Sequence, residues 1–281
     1  MLNQCKNMPS ASLSSRTPSP FAAPCAKLIW LCAFLFFTNI SQQAIASDYE
    51  REARFADDIR AQLVVGDAVM LPLVSGTPAP SRPFLGIYTV GKQGMPAIVL
   101  AHGVGAHPED GLTGRLRLLL NDLGYTTLSI QMPVAAKEAV LDNYFPVLFP
   151  LATARLAASG AWLRAQGHAN LVLMGHNMGA WMANSYLDAN AQKKDYQAWV
   201  SISVTGGYSS GVRNYPFPIL DLYGENDIPV TVSSAWRRSG TLRLAATGSQ
   251  QVMVPGADAQ WRGSEQAAAQ AIAQFLRALP L

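Results

Sequence analysis

The chain has 281 residues, of which 49% are hydrophobic and only 14% are charged, so it can bury a large core and is not disordered throughout. The formal net charge is +3, but Lys6, Arg16 and Lys27 lie in an N-terminal segment without acidic residues, and residues 47–281 are neutral. No basic surplus is left for phosphates, so no nucleic-acid partner is predicted.

Residues 1–46 are predicted to be a signal peptide. The apolar run Leu28–Phe37 follows Lys27 and is shorter than the ~20 residues that cross a bilayer. Ala44-Ile45-Ala46 then has the small-x-small pattern of a cleavage site, so the mature chain would begin at Ser47. We therefore expect an exported protein, periplasmic or secreted, with no stable membrane anchor after cleavage; the alternative is an uncleaved anchor.

All the cysteines lie in this leader, at Cys5, Cys25 and Cys32. Residues 47–281 are free of cysteine, so neither disulfides nor thiolate metal sites are predicted there. The sequence gives no reason to expect a cofactor.

Strands and helices alternate through residues 47–281. The predicted strands span 62–65, 86–90, 97–100, 126–130, 171–174, 198–202, 218–223 and 251–254. The predicted helices span 112–123, 150–166, 178–190, a segment after 229, and 265–279. Such alternation predicts a single α/β domain over residues 47–281, with a mostly parallel central sheet and helices on both faces.

A strand runs directly into a helix at Gly175-His176-Asn177-Met178-Gly179. The spacing G-x-x-x-G has the shape of a nucleophile elbow, a sharp strand-to-helix turn whose glycines relieve crowding around a central residue. Here the central residue is Asn177, where an enzyme would have a nucleophile. Alone, the pattern is also compatible with an ordinary tight turn.

Two other features follow predicted strands in the expected order. His102-Gly103-Val104 comes after strand 97–100, where a second backbone donor of an oxyanion hole belongs. Asp227 comes after strand 218–223, where the acid of a catalytic triad belongs.

With these three features, residues 47–281 resemble an α/β-hydrolase over nearly their whole length. The chain is similar to exported bacterial proteins that carry a domain of unknown function of this fold, with stretches like Ala101–Pro108 and Gly124–Ser129. The resemblance implies the nucleophile position at Asn177, the acid at Asp227 and a histidine in the loop that here reads Gly256-Ala257-Asp258-Ala259.

The same resemblance implies oxyanion amides at Val104 and Met178, with His102, Gly103 and His176 around the pocket. The triad is degenerate. The four histidines are His102, His107, His168 and His176, so none follows Asp227, and Ala259 stands where the base is expected.

A carboxamide is a poor nucleophile, and nucleophile and base act as a unit. We therefore predict a non-catalytic protein that binds a small acyl or ester-like ligand, or a protein partner, through the remaining pocket. The alternative is an active, esterase-like hydrolase that uses His102 or His107 as base with a serine outside the elbow, such as Ser201 or Ser203.

Other interpretations have weaker support in the sequence. A metal site of His102, His107 and His176 with Asp110 or Asp227 has no known ligand spacing, and no metal is predicted. Deamidation of Asn177 would give an aspartate nucleophile but would still lack the histidine.

Four further expectations concern orientation and packing. His102 is expected to brace the oxyanion loop, and His176 to turn away from the cleft by strand alternation. Asp221 is expected to be a buried carboxylate that binds loop amides, or else an acid. Residues Tyr144–Pro150 either cap the cleft or pack in the core.

Overall fold

The structure, a computed structural model, describes residues 47–73, 82–140 and 144–281. These residues belong to one compact unit, whereas the predicted signal peptide, residues 1–46, lies outside the described residues. Among the helices in these ranges, none has the length and apolar character needed to cross a bilayer.

Eight strands and seven α-helices alternate along the described residues. The strands are β1 Asp67–Leu71, β2 Phe84–Thr89, β3 Ala97–Ala101, β4 Thr126–Ile130, β5 Leu171–His176, β6 Ala198–Ile202, β7 Ile219–Asn226 and β8 Gln250–Asp258. The helices are α1 Tyr49–Gln62, α2 Gly111–Asp122, α3 Tyr144–Ala165, α4 Met178–Asn190, α5 Pro229–Ser233, α6 Ala235–Leu242 and α7 Glu265–Arg277, with short 3-10 helices at Ala191–Lys193 and Ser210–Asn214.

The strands form one sheet in the order β1-β2-β4-β3-β5-β6-β7-β8. The pairs β1–β2 and β2–β4 are antiparallel, and every other neighbouring pair is parallel. The carboxyl ends of the six parallel strands, β3 to β8, therefore meet at one edge of the sheet, which is where ligands bind in such sheets. The predicted mostly parallel sheet is confirmed.

Two hydrophobic layers cover the two faces of the sheet. Val99 packs with residues of α3 and α4, whereas its neighbours Ile98 and Leu100 pack with residues of α2 and α7. Because successive side chains of a strand point to opposite faces, these helices lie on both sides of the sheet, as predicted.

The predicted strand at residues 62–65 is wrong. Gln62 ends helix α1, and Leu63–Val65 follow as a connection in which the Val64 side chain is 92% exposed. Helix α1 was not expected. It buries Ala56 and Ile59 against β2, and the Asp48 side chain caps it by accepting a bond from the Arg51 amide (3.0 Å).

Residues Tyr144–Pro150, which were open between a cap over the cleft and core packing, form the first turns of α3. Leu148 is fully buried in the layer with α4. At Leu148, therefore, the structure agrees with core packing.

Candidate functional site

The turn between β5 and α4 is a tight elbow with Asn177 at its tip. Asn177 has a positive φ of 52°, a conformation that asparagine tolerates better than most residues. A Cβ on Gly175 would lie 2.6 Å from the backbone of Ala180, and one on Gly179 would lie 2.3 Å from the carbonyl oxygen of Ala101. The two glycines are therefore required for α4 to start so close to β3 and β5.

The carboxamide of Asn177 is bonded within the elbow. Its Oδ1 accepts a hydrogen bond from the backbone N–H of Met178 at 2.7 Å. Met178 carries the amide expected to stabilise an oxyanion, so this donor already has an acceptor from its own chain. The expected oxyanion amide of Met178 is therefore bonded to Asn177 in this structure.

The loop after β3 is held by the buried ring of His102. Nδ1 donates to the carbonyl oxygen of Gly103 (2.8 Å), while Nε2 accepts from the backbone N–H of Met132 (2.9 Å) and lies 3.0 Å from Nε2 of Gln131. Burial lowers the pKa of His102 to about 3, so the ring is neutral at pH 7. His102 braces the loop, and both nitrogens are engaged.

Asp227, at the acid position, is hydrogen-bonded to residues of the protein itself. Asp227 is only 7% exposed; its Oδ2 accepts from the hydroxyl of Ser203 (2.5 Å) and its Oδ1 from the amide of Ile228 (2.8 Å). The indole N–H of Trp261, which is fully buried, donates to the Ser203 hydroxyl oxygen (2.9 Å). Ser203, itself bonded to Trp261, thus binds the carboxylate that a triad histidine would bind.

A cavity of about 520 Å³ lies at this end of the sheet. It is lined by His102, Gly103, Val104, Ala106, Glu109–Thr113, Arg115, His176, Asn177, Ala259, Gln260, Arg262 and Glu265. The oxyanion loop, the elbow tip and the loop after β8 therefore meet around one space. Asp227 and Met178 do not line it, although the Asp227 carboxylate lies close enough to the cavity residue His176 to affect its pKa.

Several solved structures resemble this chain in fold. No protein-family model and no curated protein matches the sequence. Dienelactone hydrolase from Anabaena variabilis is similar at 20% identity and a TM-score of 0.59, over 75% of this chain and 97% of that one. The chain has the α/β-hydrolase fold.

Two further solved structures are similar to this chain in fold. Est1E from Butyrivibrio proteoclasticus is 15% identical with a TM-score of 0.55, over 75% of this chain and 98% of its own. An α/β serine hydrolase without a lid, from Xanthomonas campestris, is 18% identical with a TM-score of 0.56, over 78% and 99%. At these identities the likeness establishes the α/β-hydrolase fold alone.

His176 lies in the cavity of this α/β-hydrolase fold, and the expectation that it turns away from the cleft is wrong. Strand alternation holds, because His176 shares the face of Val172 and Met174, which pack with α2 and α7. The cavity itself opens on that face, since the start of α2 and the loop before α7 line it.

The His176 imidazole is neutral at pH 7. Burial lowers its pKa to about 4, although the nearby carboxylate of Asp227 acts in the opposite direction. Its Nε2 is buried and finds no hydrogen-bond partner in the part of the chain that the structure describes.

The remaining candidates for a rewired site do not converge on the cavity. His107 accepts a bond from the amide of Glu109 (3.3 Å), and its ring lies 5.0 Å from that of Phe55. Ser201 and Ser203 are 0% and 2% exposed. Within residues 47–73, 82–140 and 144–281, no group of three or more His, Cys, Asp or Glu could hold a metal ion.

Asp221 lies below the site and binds side chains rather than the expected loop amides. Nε of Arg238 donates to both of its oxygens (3.1 and 2.9 Å), and the Tyr208 hydroxyl donates to Oδ1 (2.8 Å). Asp221 and Arg238 are both completely buried. This geometry gives Asp221 a structural role in the site's support.

Sequence reasoning missed the roles of Trp261 and Ser203. Trp261 lies two residues after Ala259, and its indole reaches the acid through Ser203. Both residues have positive φ, 61° for Trp261 and 54° for Ser203. No sequence motif signals this pairing, because the two residues are far apart in the chain.

Proposed function

We propose that this chain is an exported, non-catalytic protein of the α/β-hydrolase fold that binds a small acyl or ester-like ligand in the cavity beside Asn177. The observation that carries the proposal is the elbow tip, where a carboxamide stands in place of a nucleophile and is bonded to the Met178 amide. The fold's usual chemistry needs a nucleophile with an adjacent base.

The surroundings of the tip support the same proposal. Ala259 lines the cavity where the base is expected, and Asp227 is bonded to Ser203 instead of an imidazole. Both ring nitrogens of His102 are engaged, and His107 does not line the cavity, so neither is placed to activate a nucleophile there. The cavity volume of about 520 Å³ is in the range of small-molecule sites.

Treatment with a fluorophosphonate probe tests the absence of catalysis. We expect no covalent labelling of the purified protein, because fluorophosphonates need an activated nucleophile. An active serine esterase treated in parallel is the positive control. Labelling that persists in Asn177→Ala but disappears in His102→Gln or His107→Gln would overturn the proposal in favour of a rewired hydrolase.

Export forms a separate part of the proposal and rests on the apolar run Leu28–Phe37 and the site at Ala44–Ala46. We expect protein from the exported fraction to begin at Ser47. Intact-mass measurement of that fraction checks the cleavage site. A form that still begins before Leu28 would contradict it.

A further inference from the structure

The orientation of the Asn177 carboxamide is fixed by its neighbour. A backbone N–H can only donate, so the atom that faces the Met178 amide must be the oxygen Oδ1. The amino group Nδ2 then lies on the other side of the carboxamide. Among the described residues Nδ2 has no hydrogen-bond partner. Unlike Nε2 of His176, it is not fully buried, so it is accessible from outside. Since Asn177 lines the cavity, its two N–H donors are available there.

A second donor lies on the adjacent loop. No residue in the described part of the chain accepts a hydrogen bond from the backbone N–H of Val104, which also lines the cavity. The loop passes close to the elbow, because a Cβ on Gly103 would lie 3.5 Å from Cβ of Asn177. The side-chain amide of Asn177 and the backbone N–H of Val104 are thus two donors on adjacent segments, and both residues line the cavity.

Charge at the cavity does not favour an anion. Arg115 and Arg262 line it, but Asp110 and Glu265 line it as well, and the remaining acid, Glu109, is bonded to the buried guanidinium of Arg117. The positive and negative side chains balance. Unpaired hydrogen-bond donors in a cavity without net charge suit the oxygen of an uncharged carbonyl group.

We propose that Asn177 is the specificity-determining residue of this cavity, and that its Nδ2 donates to the carbonyl oxygen of a neutral ester or lactone while the Val104 amide assists. This inference rests on the proposed function and names its ligand class. The donor that an active hydrolase would take from the backbone of residue 178 is supplied by the side chain of residue 177. The tip residue therefore recognises the carbonyl group and does not attack it.

Titration of the ¹⁵N-labelled protein with methyl benzoate and with benzoate tests this inference, since the two probes share an aryl group and differ in charge. We expect methyl benzoate to shift the side-chain amide signals of Asn177 and the backbone signal of Val104. The variant Asn177→Asp keeps the shape and the acceptor for Met178 but removes both donors. Its affinity for methyl benzoate should fall about tenfold or more, the value of one good hydrogen bond.

Two variants control for charge and folding. Asn214→Asp makes the same change at an exposed asparagine outside the cavity and should bind like the parent. Asn177→Ala introduces no charge and should also lose affinity, although it frees the Met178 amide.

The outcomes separate this inference from the proposed function. If methyl benzoate shifts Val104 equally in the parent and in both Asn177 variants, the role of Asn177 is overturned while ligand binding stands. Tighter binding of benzoate would overturn the neutral ligand class. The absence of any shift with either probe would overturn the inference and the proposed ligand binding together.

Discussion

Esterase activity is expected to appear when a serine and a histidine are restored together and Asp227 is released from its present partners. Asn177 and Ala259 line the same cavity, so Asn177→Ser with Ala259→His places a nucleophile and an imidazole around one space. Each single change should be silent, because serine without a base is a weak nucleophile and an imidazole without a nucleophile has nothing to activate.

The obstacle to this double variant is the bond between Ser203 and Asp227. The new imidazole would compete with the Ser203 hydroxyl for Oδ2 of Asp227, so it would lack an orienting acid. Adding Ser203→Ala removes that competitor, and adding Trp261→Phe avoids leaving a buried indole N–H without its acceptor. We expect this fourfold variant to hydrolyse p-nitrophenyl acetate about 10²-fold faster than the double variant, the contribution of a positioned base.

The control is Asp227→Asn in the fourfold background, which should return the rate to that of the double variant, because it again leaves the imidazole without an orienting acid. Placing the histidine at Asp258 or Gln260 instead of Ala259 tests the register of the loop, in which Ala259 and Gln260 both line the cavity. Equal activity with and without Asp227→Asn would show that the acid position is not used. Appreciable hydrolysis by the parent that is lost in Asn177→Ala would contradict the non-catalytic proposal itself.

Local patterns predicted the framework of the site. The helix that begins at Met178 and the strands Thr126–Ile130 and Ala198–Ile202 have the predicted bounds, since continuous apolar runs and glycine spacing are local signals. Gly175 and Gly179 predicted the elbow because their lack of a Cβ is a steric requirement of the turn. The mostly parallel sheet follows from the alternation of elements.

The contents of the site depend on contacts between distant residues, which local patterns do not encode. Alternation gave the face of His176 correctly, but only the packing of α2 and the loop before α7 shows that the cavity opens on that face. The bond from Ser203 to Asp227 joins residues 24 positions apart, and that from Trp261 to Ser203 joins residues 58 apart. The Asn177–Met178 bond is local, but it depends on the side-chain rotamer.

Removal of the Asp221 carboxylate should lower the free energy of unfolding more than any other substitution proposed above. The carboxylate is completely buried and accepts bonds from Arg238, from the Tyr208 hydroxyl (2.8 Å) and from Nε2 of Gln251 (2.6 Å). Nη1 of Arg238 in turn binds the carbonyl oxygen of Val204 (2.9 Å), just beyond Ser203. The network therefore connects β7 and β8 with the segment that follows β6.

Asp221→Ala leaves the Arg238 guanidinium buried without its counter-charge, so we expect the free energy of unfolding to fall by about 3–5 kcal/mol. Urea denaturation followed by circular dichroism measures the change. The double variant Asp221→Leu with Arg238→Met removes both charges and should recover much of the loss, because two apolar side chains leave no unpaired ion. If Asp221→Ala costs less than about 1 kcal/mol, or the double variant is no more stable than the single one, the unpaired guanidinium is not the source of the instability.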